Sequence, residues 1–252
     1  MPPAAPSWTR RGDRSEVVLP SAGRAVGSGG VDGLLAATRE ILADPALEGS
    51  EIHLVADHPA DADDQTAEAV ADALGFTRQR TLHQLRRSLP ILADDPSRAG
   101  LPVPALRPFT AADADAWIRV NNRAFARHPD QGAETPETFA ARRAEPWFDP
   151  DGFLVVDDVD RPGDLAGFCW TKVHPVDPTT GAPAGEIYVI GADPTQHGRG
   201  MGAALVLGGL DHLTSIGLGD AFLFVEADNG PARRLYGRLG FTTAGRRAVY
   251  AR

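Results

Sequence analysis

Glu186-Ile187-Tyr188-Val189-Ile190-Gly191 is followed by Gly198-Arg199-Gly200-Met201-Gly202, then by Phe224-Val225-Glu226-Ala227-Asp228-Asn229, and last by Arg234-Leu235-Tyr236-Gly237-Arg238-Leu239-Gly240-Phe241. The first and third runs are apolar and strand-like. The glycine-rich run opens a helix, and a second short helix carries Tyr236. A strand that ends in such a turn presents unpaired backbone N–H groups at the positive end of a helix dipole. That geometry binds phosphate. Glycines at 198, 200 and 202 lack Cβ atoms, so a pyrophosphate can approach the backbone closely. The turn has neither the Lys-Ser/Thr of a P-loop nor the acidic residue of the dinucleotide pattern.

Outward from this device, Ala111 to Ala126 places Ala114, Trp117, Ile118, Asn121 and Phe125 at helical spacing. Pro136 opens a second short helix, since proline is tolerated in a first turn. Phe153 to Val156 and Leu165 to Val173 read as adjacent strands joined at Arg161-Pro162-Gly163-Asp164. The order β-α-α-β-β-β-α-β-α-β predicts an α/β domain over residues 104–252. Residues 91–103, rich in Pro, Asp and Gly and aperiodic, read as a linker.

The first 90 residues echo the second part. Glu51 to Asp57, a helical run and Ala73-Leu74-Gly75-Phe76 parallel Phe222 to Asp228, a helical run and Arg238-Leu239-Gly240-Phe241. Glu16 to Pro20 followed by Gly27-Ser28-Gly29-Gly30 is a worn version of 186–202. Residues 1–90 therefore read as a shortened, degenerate copy, either cut short or starting upstream of Met1. This copy has Ala71 where the second has Tyr236.

The chain of 252 residues, 42% of them hydrophobic, carries 34 acidic and 25 basic residues, a net charge of −9. Scattered arginines on an acidic chain argue against nucleic acid as partner. One cysteine, Cys169 in an apolar run, excludes a disulfide framework or a multi-cysteine zinc site and reads as a buried thiol. No signal peptide and no membrane-length apolar run is present, so a cytoplasmic, monomeric protein is expected. His128 and His174 each precede a proline in a loop, with no third ligand spaced for a metal; none is expected. Lys172 is the only lysine.

The glycine turn with Asn229, Tyr236 and Gly240-Phe241 resembles the Gcn5-related N-acetyltransferase (GNAT) superfamily. The resemblance implies a mixed, mostly antiparallel twisted sheet flanked by helices, in tandem here, with acetyl-CoA as cosubstrate. It implies that His197, Gly198, Arg199, Gly200, Met201, Gly202 and Ala203 grip the pyrophosphate, with His197 where Gln or Arg is usual. Ile190, Gly191 and Ala192 are expected to line the acetyl group with backbone N–H groups. Asn229, Gly230, Pro231, Ala232, Arg233 and Arg234 are expected to flank the CoA arm.

A narrower resemblance rests on Asn121 to Gly132, Trp147 to Gly152, Trp170 to Pro175, Gly185 to Gly191 and Val225 to Asn229. These are similar to the mycothiol synthase family, tandem enzymes active in their C-terminal half. It implies a small amine substrate, the cysteinyl-glucosaminyl-inositol precursor, with Lys172, Glu186 and Asp130 (usually Glu) contacting it. Phe224 stands where a substrate-contacting Tyr is expected. A cysteinyl amine has a pKa near 8, so a modest base suffices, even through water. Glu186 is the candidate base by resemblance, and Tyr236 the candidate acid for the departing thiolate. Alternatives are an acetyltransferase for another small amine, or a non-catalytic acyl-CoA-binding module.

Overall fold

The computed structural model describes residues 5–11, 14–20, 30–60, 65–101, 104–127, 132–177 and 179–252. Contacts divide them into two compact units. The first holds residues up to Leu85 with Phe224–Arg233 and Thr243–Arg252, and the second holds Arg86–Leu223 and Arg234–Thr242. The cut expected at residues 90 and 104 divides the chain linearly, whereas the compact units interleave.

In the first unit, β1 (Ser7–Arg11) pairs antiparallel with β2 (Arg14–Leu19), and β2 pairs parallel with β3 (Glu51–Pro59). A parallel pair needs a crossover, which α1 (Gly30–Leu42) supplies. α2 (Gln65–Ala73) and β4 (Thr77–Ser88) follow, and β10 (Thr242–Ala251) lies antiparallel against β3. The order is β1-β2-β3-β10-β4. β2 buries alternate residues, Ser15, Val17 and Leu19, of which Val17 and Leu19 meet Leu34, Leu54, Val70, Phe76 and Tyr250 in one core. The run β2-α1-β3-α2-β4 is the strand–helix–strand–helix–strand expected of the first copy. β1, antiparallel beside β2, is a strand before Glu16 that the sequence did not predict. The last strand of the second copy, β10, is built into the first unit's sheet.

The second unit contains β5 (Leu106–Pro108), α3 (Ala114–Ala124), α4 (Pro136–Arg143), β6 (Phe153–Asp157), β7 (Leu165–His174) and β8 (Ala184–Ala192). After α5 (Met201–Ser215) come β9 (Asp220–Glu226) and α6 (Gly230–Arg238), each shared with the first unit. With β10 this is the predicted element order. The sheet runs β9-β8-β7-β6-β5, antiparallel except for the parallel pair β8–β9. Cross-strand partners Phe153 and Trp170 stack at 4.5 Å, and Trp117 of α3 meets both edge-on at 5.7 and 5.8 Å. The 91–103 stretch is fastened rather than loose: Arg98 donates to the Ile91 and Leu92 carbonyls and to Asp211 of α5. Among the described residues no helix is long and apolar enough to cross a membrane.

Arg107 of β5 bonds both carboxylate oxygens of Asp113, at 2.7 and 2.8 Å, and also Asp157. Asp113 in turn accepts the Thr110 amide and hydroxyl ahead of α3. Arg107 first, then Thr110, hold Asp113 down to about 2. A depressed carboxylate stabilises the fold above its unfolded pKa, and that stability is lost as pH falls through the folded value. Asp113 should therefore contribute about 2 kcal/mol at neutral pH, lost between about pH 4 and pH 2. Denaturant unfolding of Asp113→Asn against the parent at pH 7 and pH 3 checks this; an equal difference at both pH values would refute it.

Candidate active site

The site is built on β8. Its register with β7 slips between Trp170 and Thr171, which pair with Val189 and Ile187, so Tyr188 is the extra residue of a bulge. A bulge bends its strand. Here the bend falls where the pairing with β9 ends: Gly185 faces Ala221 and Glu186 faces Phe222, and Ile187 has no partner at Leu223. Ile190, Gly191 and Ala192 thus keep β7 on one edge while their other edge is open within this unit.

Past Ala192 the chain is pinned. Asp193, almost fully buried, accepts from the Thr195 amide and hydroxyl and pairs with Arg123 at 2.7 Å and Arg161 at 2.9 Å. Burial opposes its charge, but Thr195, Arg161 and Arg123 outweigh that and hold its carboxyl well below the usual range. From this anchor His197, Gly198 and Arg199 emerge exposed, and α5 begins. Gly198 and Gly200 take φ of 76° and 79°, a left-handed backbone that only glycine adopts without strain. Gly200 is the N-cap and offers no side-chain oxygen to the first turn. The amides of Met201, Gly202 and Ala203 therefore lack intrahelical acceptors. A Cβ added at Gly198 would meet nothing, and one at Gly202 only Leu235 at 3.5 Å. This bare turn fits a diphosphate.

Gly200→Val would place a β-branched residue in left-handed backbone and fill the turn. With about 1–2 kcal/mol of strain and lost approach, the acetyl-CoA KM should rise roughly tenfold with less change in saturated turnover. Steady-state kinetics against acetyl-CoA measures this, and an unchanged KM would exclude the turn as the binding element.

Tyr236 of α6 is buried, its ring 5.8 Å from that of Phe241. Burial, then Cys169, raise the phenol above its ordinary pKa, so it stays protonated at neutral pH. Cys169 is fully buried and pushed up to about 12, an inert thiol as expected.

Before the bulge, β7 and β8 present a polar face. Lys172 sits opposite Glu186 and His174 opposite Ala184, so alternation puts Lys172, His174 and Glu186 on one side. Glu186 Oε2 and His174 Nε2 are 2.7 Å apart. Lys172 Nζ lies 4.3 Å over the Trp147 ring and 5.5 Å from that of Tyr188, a cation–π seat that orients the ammonium. The sequence reading missed His174 as a partner of Glu186, and Trp147 and Tyr188 about Lys172. It put His174 in a loop, whereas His174 is the last residue of β7. The hairpin register was the signal that could have found it. Among the described residues no group of three or more His, Cys, Asp and Glu is placed to hold a metal.

Of the remaining residues, Phe224 and Asn229 to Arg233 belong to the first unit and Arg234 to the second, and the rest lie outside the described residues. Asn229 caps α6, its Oδ1 accepting from the Ala232 amide at 3.1 Å, and Arg233 donates to the Ala227 carbonyl. Gly230 and Ala232 are half-buried, and Pro231 and, in the second unit, Arg234 are exposed. Phe224 is half-buried under the Arg247 guanidinium, 4.0 Å away, which Asp57 holds through two bonds of 2.7 and 2.8 Å. Asp130 and His128 lie outside the described residues.

The profile of the Acetyltransferase (GNAT) family matches residues 116–241, from α3 through the cradle to Phe241. A protein of Nocardioides sp. named mycothiol acetyltransferase is 42% identical over 254 residues, covering 94% of this chain and 82% of its own length. The chain belongs to the GNAT acetyltransferases, in their mycothiol acetyltransferase branch. Relatives of the same name from Frankia alni and Acidimicrobium ferrooxidans are 42% and 48% identical. These matches span 94% and 68% of this chain, and 69% and 53% of the relatives. In fold the chain resembles a GCN5-related N-acetyltransferase of Sphaerobacter thermophilus (TM-score 0.65, 21% identity, 98% of this chain and 75% of that one). It also resembles a tandem GNAT protein of the clavulanic acid pathway (TM-score 0.60, 18% identity, 95% and 75%). The mixed sheet is thus the family's fold, and acetyl-CoA is the family's cosubstrate.

Proposed function

We propose that the protein transfers acetyl from acetyl-CoA to the cysteinyl amine of the cysteinyl-glucosaminyl-inositol precursor, giving mycothiol. The observation that carries this reading is the 42% identity, sustained over 94% of the chain, to a relative named mycothiol acetyltransferase. Acetyl-CoA supplies an activated acetyl thioester. The amides opening α5, with Gly198 and Gly200 keeping side chains out, hold its diphosphate, and the open edge of β8 at Ile190 to Ala192 receives its acetyl carbonyl.

Glu186 accepts a proton from the incoming ammonium, directly or through water, so that the amine arrives as a nucleophile. Tyr236, held protonated by burial, keeps a proton ready for the departing sulfur. Lys172, seated on Trp147, and Asp130 hold the sugar part of the acceptor. A second reading, another small amine as acceptor, is favoured by Phe224, which offers a ring capped by Arg247 where the family has a hydroxyl.

Purified protein incubated with acetyl-CoA and the cysteinyl-glucosaminyl-inositol amine should yield the N-acetylated product by mass spectrometry. A panel of amino sugars and amino acid amides run beside it separates the readings. Product from another amine only would replace the substrate; product from none would leave an acyl-CoA-binding module.

A further inference from the structure

Glu186 has a partner that the reaction as described does not use. His174 Nε2 stands 2.7 Å from Glu186 Oε2, an N–H that donates to the carboxylate. The imidazole is itself held: its ring lies against Phe222 with centroids 5.1 Å apart, and Phe222 is the β9 residue paired with Glu186. On the same Phe222 ring sits the Arg86 guanidinium, 5.2 Å away, fixed by Asp220 and the buried Asp177. Glu186 is thus fastened from β7 through a histidine that cannot swing freely, because a β9 aromatic and a pinned arginine back it. The Glu186 side chain is 13% exposed and His174 27%, so the bond is partly shielded from water. A hydrogen bond to a charged group in such surroundings fixes geometry as well as charge.

We propose that His174 is the positioning residue for Glu186. By donating to Oε2 it stops the carboxylate from rotating about its last bond and leaves Oε1 as the oxygen that meets the acceptor amine or its bridging water. This inference rests on Glu186 being the base. Chemistry gains from such restraint because a base a fraction of an ångström out of line transfers protons poorly. Binding of acetyl-CoA, made elsewhere on β8 and α5, is untouched.

The test uses the full chain with acetyl-CoA and the cysteinyl-glucosaminyl-inositol amine, or a cysteine amide as simpler acceptor. His174→Phe keeps a ring against Phe222 but removes the donor, and kcat should fall about tenfold, the worth of one bond to a charged group. His174→Gln restores an N–H at similar reach and should recover turnover to within about threefold of the parent. Both should keep the acetyl-CoA KM. In a Glu186→Gln background, His174→Phe should add no further loss, since its effect passes through the carboxylate. Equal damage by Phe and Gln, or a full tenfold loss on top of Glu186→Gln, would overturn the positioning role while leaving Glu186 as base. Full turnover by Glu186→Gln alone would overturn both assignments.

Discussion

Tyr236→Phe should lower kcat by about a hundredfold, the lower end of what a positioned general acid contributes, while leaving the acetyl-CoA KM close to the parent value. The direction follows from the surroundings of the phenol. Burial, assisted by Cys169, raises its pKa, so the hydroxyl is a proton donor throughout the physiological range. Among the described residues no group bonds that hydroxyl, so its removal breaks no internal hydrogen bond, and the fold should keep its thermal stability. The acetyl-CoA contacts proposed for the α5 turn are backbone amides that the substitution does not touch. Rapid-quench measurement of the first turnover at saturating acetyl-CoA, with thermal unfolding alongside, gives both readings. An unchanged first-turnover rate would remove Tyr236 from the chemistry, and a large loss of stability would make it a core residue.

Glu186→Gln should reduce kcat/KM for the amine by a hundredfold or more at pH 7, with acetyl-CoA binding unaffected. Glutamine keeps the shape of the side chain and can still accept from His174 through its carbonyl oxygen, so the hairpin face is preserved while basicity is lost. The pH dependence supplies a sharper check. An α-amine with a pKa near 8 is mostly ammonium at pH 7 and mostly neutral at pH 9. A base is needed at the lower pH and much less at the higher one, so the deficit of the variant should shrink several-fold between them. A deficit constant across that range would argue for a binding role, Glu186 holding a substrate cation or hydroxyl rather than taking a proton.

The proposed cofactor end of the site was legible in the residues because its parts are local. A glycine turn before a helix, and a tyrosine four residues ahead of Gly240, are set by neighbours in sequence. The structure gives that turn the left-handed glycines it needs. The proposed acceptor end was legible only in part. Lys172 and Glu186 could be named by resemblance, but their relation depends on the register of β7 with β8, which is a long-range choice. The same register brings His174 under Glu186, which neighbouring residues alone left as one member of a His-Pro pair.

The bulge at Tyr188 was also invisible, because one extra residue in a strand changes nothing in its composition. Yet it sets where β8 parts from β9, and so which peptide edge is open. The interleaving of the two compact units was hidden for the same reason. Two similar strand–helix–strand copies in one chain can each close on its own last strand or lend it out, and hydrophobic pattern is identical in both cases. Pairing decides, and here β10 lies on β3.

By itself, then, the amino-acid sequence determined the element order, the internal echo, the glycine turn before α5 and the tyrosine on α6, since each is written in periodicity, glycine placement and short spacing. Only the tertiary structure decided which side chains share a face. It placed Glu186 beside His174, seated Lys172 on Trp147 and laid Phe224 under Arg247. These are contacts between residues far apart in the chain, and their geometry comes from strand register and from packing, to which no local pattern is sensitive.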